Sequence, residues 1–96
     1  MVNDVLQPQR CALYAHTAMM LDSHHVCPES WWRAAGKPVA SPLTELCPTC
    51  HYDTHVAIDG LVRGLDISLV RLRCQGLARQ AMVIAAANGL TPAVTL

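Results

Sequence analysis

The chain has 96 residues, with 52% apolar and only 4% aromatic side chains, and a formal net charge of zero. This length predicts one domain with a thin aliphatic core that a bound metal would help to stabilise. The balanced charge excludes a global basic field for nucleic acid, and no apolar run is long enough for a membrane span. The five cysteines, two of them in a metal-type pair, and the lack of signal-peptide features predict a reducing, cytoplasmic location.

The first half of the chain predicts short strands around a proline-rich loop. Residues 1–9 have no clear period and predict a flexible lead-in. A short strand or hairpin is expected over residues 20–27, because apolar residues flank polar ones and Pro28 stops the run. One helical turn is expected over residues 29–35. The alternation in Leu43–Leu46 predicts a second strand.

The second half predicts two helices. We expect the first over residues 49–58, ending near Gly60. The second is expected to begin at an N-cap, Asp66 or Ser68, and to run to Asn88, where Gly89 follows as a C-terminal cap.

Two rows of side chains mark that longer helix. An apolar row at spacings of four and three predicts a buried face; its members are Val70, Cys74, Leu77, Ala81 and Ile84. A polar row predicts a solvated face and is also the best local basic patch of the chain; its members are Arg71, Gln75 and Arg79.

The segment from Cys47 to His55 concentrates metal-binding side chains. Cys47 and Cys50 are three residues apart, a spacing that predicts a tight turn with both sulfurs on one Zn²⁺. His51 and His55 are four apart, so a helix beginning at this turn would place both imidazoles on one face, where they can share a second ion. A pair of histidines at positions 24 and 25 lies upstream.

These residues carry a family resemblance. The run Asp22-Ser-His-His-Val-Cys-Pro28, followed by Leu46-Cys-Pro-Thr-Cys-His51 and His55, resembles the HNH nuclease family, especially its small members from bacteriophages and other mobile elements. The resemblance implies an α+β fold with a small, treble-clef-like ββα-metal unit and a zinc knuckle at residues 10–60. Residues 61–96 would form a C-terminal helical extension of the same domain.

The resemblance also implies an activity, which is metal-dependent hydrolysis of DNA phosphodiester bonds. It assigns the general base to His25 and the binding of one catalytic divalent cation to His24, His51 and His55. A neutral imidazole suits removal of a water proton at physiological pH. Three imidazoles suit Zn²⁺, Ni²⁺ or Mn²⁺ better than Mg²⁺, and the working ion among these four stays open. Asp22 is expected either to orient a histidine or to be simple polarity at a strand edge.

The sequence departs from the family pattern in two places, of which the first is position 42. Where the family has an Asn that orients the general base, nine residues before His51, this chain has Pro42. Proline has neither a side-chain amide nor a backbone N–H. Ser41 or Thr44 would have to supply a hydroxyl instead, and without one the activity would be weak or absent.

The second departure concerns the structural zinc site that is expected beside the catalytic one. Many relatives have an earlier Cys-x-x-Cys pair as well, but here Tyr14 stands three residues after Cys11. The site would use Cys47 and Cys50, with Cys11 as the favoured third ligand and His16, preferred over Cys27, as the fourth. The competing interpretation makes Cys11 and Cys27 small buried apolar side chains. Cys74, in the apolar row, is expected in the core.

The expected partners are DNA and a phage packaging or other genome-processing protein. Trp31 and Trp32 are adjacent. One indole is expected to cover the core, and the other, Trp32, to contact DNA together with Arg33 and Lys37. The alternative function is a catalytically silent, zinc-stapled binding or assembly module acting with such a genome-processing partner. A sequence-specific homing or restriction enzyme fits less well, because 96 residues leave little room for a separate reader of bases.

Overall fold

A computed structural model describes residues 9–14, 17–18 and 20–96. Within them lie two antiparallel two-stranded sheets and three helices, which confirms the predicted α+β class. The elements in chain order are β1 (Gln9–Arg10), β2 (Thr17–Ala18), β3 (Asp22–His25), α1 (Glu29–Ala34), β4 (Leu43–Leu46), α2 (Pro48–Arg63) and α3 (Leu72–Asn88). Among the described helices, none has the length and apolar character needed to cross a membrane.

The two-stranded sheet of β3 and β4 places the upstream histidines. The two strands pair antiparallel, with His24 opposite Thr44 and His25 opposite Leu43. Strand β3 is shorter than the predicted 20–27, because the chain turns away after His25 and Pro28 removes a donor. Strand β4 has the predicted bounds.

Helix α2 begins at the cysteine turn and is longer than predicted. Cys47 is its N-cap, and the Cys47 Sγ accepts a hydrogen bond of 3.4 Å from the Cys50 N–H. The prediction that the helix ends near Gly60 is wrong. A Cβ at position 60 would lie 2.5 Å from Ile67 Cγ2, so this glycine permits close packing inside the helix. The helix ends at Gly64, where φ is 71°.

Helix α3 starts later than predicted. Asp66 does not cap it; the Asp66 carboxylate accepts hydrogen bonds from the backbone N–H and the hydroxyl of Ser68, at 3.0 and 2.8 Å. These bonds close a local turn, and the helix begins at Leu72. Its predicted end is confirmed, since Gly89 follows Asn88 with φ of 66°.

The core has two connected parts. One lies between α1, α2 and α3, and the other lies around the cysteine turn and α3. The predicted apolar row is confirmed as core: Cys74, Leu77 and Ala81 are buried, and Val70 and Ile84 are partly buried.

Both indoles belong to this core. Trp31 is 1% exposed and Trp32 is 3% exposed. The expectation that Trp32 contacts DNA is therefore wrong for this fold, because its ring packs inside the domain instead of lying on the surface. Two adjacent indoles are both buried here because they occupy a short helix covered by α2, α3 and the residues after α3.

Residues 93–96, called here the terminal segment, run back across α1 and α2. The Trp31 Nε1–H donates to the Ala93 carbonyl at 2.8 Å. The Asp59 carboxylate on α2 accepts from the backbone N–H groups of Thr95 and Leu96, at 2.7 and 2.8 Å. These bonds place Thr95 beside the histidines of α2.

Candidate metal centres

Three imidazoles converge between β3 and α2. His24, His51 and His55, called here the histidine cluster, each offer a nitrogen within 4.8 Å of those of the other two. Their ring centroids are 4.9 to 5.1 Å apart. The predicted spacing explains this geometry, because residues 51 and 55 lie one turn apart on α2 and face the buried end of β3.

A carboxylate fixes the tautomer of His51. The His51 Nδ1 lies 2.9 Å from Asp22 Oδ2. An ionised carboxylate only accepts hydrogen bonds, so the Nδ1 must carry the proton and donate. The Nε2 of His51 then keeps its lone pair for a metal ion. Of the two expectations for Asp22, orienting a histidine is the one that the structure supports.

A hydroxyl lies between His55 and a carboxylate. The His55 Nδ1 lies 2.7 Å from the Thr95 Oγ1, and this hydroxyl lies 2.8 Å from Asp59 Oδ1. The one hydroxyl proton goes to the carboxylate, which cannot donate, so the His55 Nδ1–H donates to Thr95. Sequence reasoning missed both Asp59 and Thr95, because the contacts join residues 36 and 40 positions apart and have no local signal.

The third imidazole is buried with an unmet hydrogen-bonding group. His24 is 1% exposed, and its Nε2 has no partner among the described residues. Burial, followed by the nearby His55, His51 and His25, lowers the pKa of His24 to about 3. Burial and then His51 also lower the pKa of His55, although Asp59 acts in the opposite direction. Neutral rings with available lone pairs are the form in which histidine binds metals. The cluster therefore fits a divalent cation.

His25 faces the same space as the cluster. A cavity of about 230 Å³ is lined by Ser23, His24, His25, Pro28, Glu29, Ser30, His51, His55 and Thr95. The His25 Nε2 lies 3.8 Å from Glu29 Oε1, whereas its Nδ1 is buried without a partner among the described residues. The predicted base thus opens onto the predicted metal site, but no described acceptor lies within hydrogen-bond distance of its ring nitrogens.

The residues expected to replace the missing Asn do not reach His25. Ser41 accepts a hydrogen bond from the Cys27 N–H at 2.8 Å, and the carbonyl of Pro42 accepts one from the Val26 N–H at 2.9 Å. Both bonds join the residues that follow β3 to those that precede β4. Within the described residues, neither Ser41 nor Thr44 forms a hydrogen bond with His25.

Three thiols converge at the start of α2. Cys11, Cys47 and Cys50, called here the thiol cluster, are all buried, and their sulfurs lie within 4.8 Å of one another. This group could hold a metal ion such as zinc. The other candidate, Cys27, lies instead in the core part that contains both indoles. His16 lies outside the described residues.

The surroundings of the thiol cluster favour negative charge on Cys11 but not on Cys50. Burial raises the pKa of Cys11, but hydrogen bonds from the backbone of Cys47, Leu13 and Tyr14 and from Cys50 bring the pKa down to about 7. Burial and the neighbouring sulfurs raise the pKa of Cys50. A bound cation would relieve this competition, since metals take cysteine as the thiolate.

A guanidinium group stands against the thiol cluster. The Arg71 Nη2–H donates to Cys50 Sγ at 3.3 Å, and the same side chain contacts Asp53 Oδ2 at 3.0 Å. Arg71 is the N-cap residue of α3 and does not belong to a solvated row along the helix, as its spacing had indicated. A guanidinium beside a cysteine sulfur favours the thiolate form, which is the form that a metal ion binds.

Comparisons with protein-family models, curated proteins and solved structures found no match for this chain. The geometry of the two clusters and the motif resemblance are therefore the basis for a functional proposal.

The cations expected to contact DNA are exposed but have partners within the chain. The Arg33 guanidinium donates to the Glu29 carboxylate, with one contact of 3.0 Å. The Lys37 ammonium donates to the carbonyl of Asn88 at the end of α3. Contact with phosphate would require both side chains to exchange these bonds.

Proposed function

We propose that this chain is a metal-dependent DNA endonuclease of the HNH type. In this proposal β3, β4 and α2 form the ββα-metal unit. The observation that carries the proposal is that His25 opens onto the same cavity as His24, His51 and His55. A base and three metal-binding imidazoles around one accessible space are the groups that phosphodiester hydrolysis requires.

In this proposal, different residues bind the catalytic cation, accept the water proton and bind the structural zinc. His24, His51 and His55 would hold one divalent cation, for which Mg²⁺, Mn²⁺, Ni²⁺ and Zn²⁺ are the candidates. When bound, such an ion supplies charge stabilisation at the scissile phosphate and the leaving 3′ oxygen. His25 takes the proton of the attacking water at its Nε2, since its Nδ1 is turned into the protein. Cys11, Cys47 and Cys50, with His16 as the fourth ligand, would hold a structural Zn²⁺ that fixes the start of α2.

One observation favours a second function, a catalytically silent, zinc-stapled binding or assembly module. For Nε2 of His25 to act as a base, Nδ1 must keep its proton, and Nδ1 has no acceptor among the described residues. Pro42 lies where the family's orienting Asn would be and offers no side-chain acceptor. The module would keep both metal sites and lack the chemistry.

The proposed partner is DNA, with a phage packaging or genome-processing protein as its helper in the bacterial host cytoplasm. A zero net charge predicts weak intrinsic affinity, because phosphate contacts supply most non-specific binding. A helper would supply that affinity. Arg33 and Lys37 are the side chains proposed to meet phosphates.

A nicking assay tests the two functions. Supercoiled plasmid is incubated with the protein and each of the four cations, with EDTA as the blank. His25→Ala should abolish nicking, whereas Ser30→Ala, which alters the same cavity without removing an imidazole, should retain it. Nicking that persists in His25→Ala overturns the mechanism. No nicking by the unaltered protein with any ion favours the silent module.

Restoring the missing side chain sharpens the choice. Pro42→Asn should raise the nicking rate, because an amide at this position can orient His25. The rate is compared with that of Pro42→Ala, which removes the ring without adding an amide. An unchanged rate in Pro42→Asn would mean that another group already orients the base.

A further inference from the structure

The terminal segment brings a hydroxyl into the wall of the histidine cavity. Thr95 lines the cavity and lies between His55 Nδ1 and Asp59 Oδ1, at 2.7 and 2.8 Å. Asp59, 8% exposed, also accepts the backbone N–H groups of Thr95 and Leu96. The carboxylate thus holds the segment and directs the threonine hydroxyl in one arrangement.

We propose that Thr95, held by Asp59, is a positioning residue that keeps His55 in the Nδ1–H tautomer and so presents the Nε2 lone pair to a metal ion. This inference rests on the proposed metal site. Thr95 does not touch the reacting atoms; it acts through His55. The terminal segment is therefore part of the metal centre in addition to covering the core.

The hydrogen-bond directions carry the argument. Asp59 Oδ1 accepts both the Thr95 backbone N–H and its hydroxyl proton. The lone pairs of Oγ1 then remain for His55 Nδ1–H, and the ring cannot turn around without losing this bond. Without the hydroxyl, Nδ1 would have no partner among the described residues, and the Nε2–H tautomer, which cannot bind a metal through Nε2, would gain population.

Holding the segment and setting the tautomer are separable. The two backbone bonds to Asp59 and the bond from Trp31 to the Ala93 carbonyl secure the segment without using the Thr95 hydroxyl. Thr95→Val keeps the shape of the side chain and these three bonds but removes the hydroxyl. Thr95→Ser keeps the hydroxyl. Thr91→Val makes the same chemical change at an exposed position outside the segment.

The first measurement is the tautomer of His55 without a metal at the histidine cluster. Ring ¹⁵N chemical shifts are recorded for the full chain carrying one equivalent of Zn²⁺. The unaltered protein, Thr95→Ser and Thr91→Val should show protonated Nδ1. Thr95→Val, and Thr95→Ala as a second variant should the first fail to fold, should show a mixture with Nε2–H.

The second measurement is cation affinity. Co²⁺ is titrated into the same zinc-loaded protein, and its d–d absorption bands report binding to imidazoles separately from the charge-transfer band of thiolates. Thr95→Val should bind roughly tenfold more weakly, the lower range for loss of a group that supports a metal ligand. Thr95→Ser should restore the affinity, and Thr91→Val should not change it. His24→Ala identifies the site by losing the bands.

The outcomes separate this inference from the function that it supports. If the unaltered protein gives no imidazole-bound Co²⁺, or if His24→Ala binds it equally well, both the metal site and the inference are overturned. If His24→Ala loses the ion but Thr95→Val changes neither the tautomer nor the affinity, only the inference is overturned. A change in one of these readouts without the other also overturns it.

Discussion

The two clusters differ in how they meet solvent, although one helix serves both. The thiol cluster is buried on every side, and its residues belong to the core. The histidine cluster has one buried and two half-buried rings and opens onto a cavity. Closed sulfur sites stabilise folds, whereas open sites keep a position for a substrate or water. This contrast is the one expected if the thiols stabilise the fold and the imidazoles serve the chemistry proposed above.

The contrast arises from neighbouring residues. Cys50 and His51 are adjacent, but each residue of an α-helix turns by about 100° around the axis. Cys50 therefore points toward α3 and Cys11, and His51 points toward β3 and Asp22. One helix start thus supports two sites with different surroundings.

The largest expected effect is on the closed site. Cys47→Ser should lower the free energy of unfolding by at least about 3 kcal/mol and abolish zinc binding at the thiol cluster, since metal binding contributes directly to folding in small metal-binding domains. Urea unfolding and native mass spectrometry measure the two effects. Cys27→Ala is the matched control, because Cys27 is buried outside the cluster. A Cys47→Ser protein with its zinc and stability intact would remove the distinction between the sites.

At the open site, the effect should fall on binding and not on stability. His24→Leu should lower the affinity for a divalent cation by at least about 100-fold, yet leave the metal-free protein as stable or more stable. An unpaired buried polar group costs about 1–3 kcal/mol, and the substitution removes it. Calorimetric titration and urea unfolding provide the readouts, with His25→Leu as the control that keeps the three ligands. Strong destabilisation by His24→Leu would contradict the comparison.

The dependence of stability on pH should differ between the unaltered protein and His24→Leu. The pKa of His24 falls from its ordinary 6.5 to about 3 in the fold. Between these values the unfolded chain binds a proton that the folded chain does not, so stability is lost as pH falls through this window. The slope contributed by His24 is at most about 1.4 kcal/mol per pH unit.

Unfolding free energies from pH 7 to pH 4 check this prediction. They are measured for the zinc-loaded protein without an ion at the histidine cluster. His24→Leu should show a shallower decline, and identical declines would mean that His24 is not the titrating group.

The smallest expected effect concerns the guanidinium beside the thiols. Arg71→Met should destabilise the protein by about 1 kcal/mol, because the bonds to Cys50 and Asp53 are lost from a partly exposed side chain. Arg79→Met, on the exposed face of α3, should change stability by less than about 0.5 kcal/mol. Thermal and urea unfolding measure both. Equal effects would show that Arg71 contributes no more than an ordinary surface residue.

Local sequence patterns were sufficient to predict the parts of the sites that lie within a few consecutive residues. The spacing of His51 and His55 and the turn between Cys47 and Cys50 are properties of a few consecutive residues, and the structure confirms both. The stripe through Cys74 and Leu77 followed in the same way from helical periodicity.

Contacts between distant residues could not be predicted in this way. Glycine is common at helix ends, but Gly60 lies inside α2 because Ile67 packs closely against it. Asp66 is a residue type common at helix N-caps, but its carboxylate accepts the hydrogen bond of the Ser68 N–H and does not cap α3. Thr95 and Asp59 have no motif at all, because their positions beside His55 depend on the return of the chain after α3.

Because the Trp31 indole donates a hydrogen bond to the Ala93 carbonyl, its fluorescence can report on the position of the terminal segment. Both tryptophans are buried, and only Trp31 bonds to the terminal segment. In a Trp32→Phe protein, the remaining emission would come from that one indole. Detachment of the segment would expose the indole to water and shift its fluorescence to longer wavelength. Attachment of the segment that lines the histidine cavity could then be followed in solution without an added label.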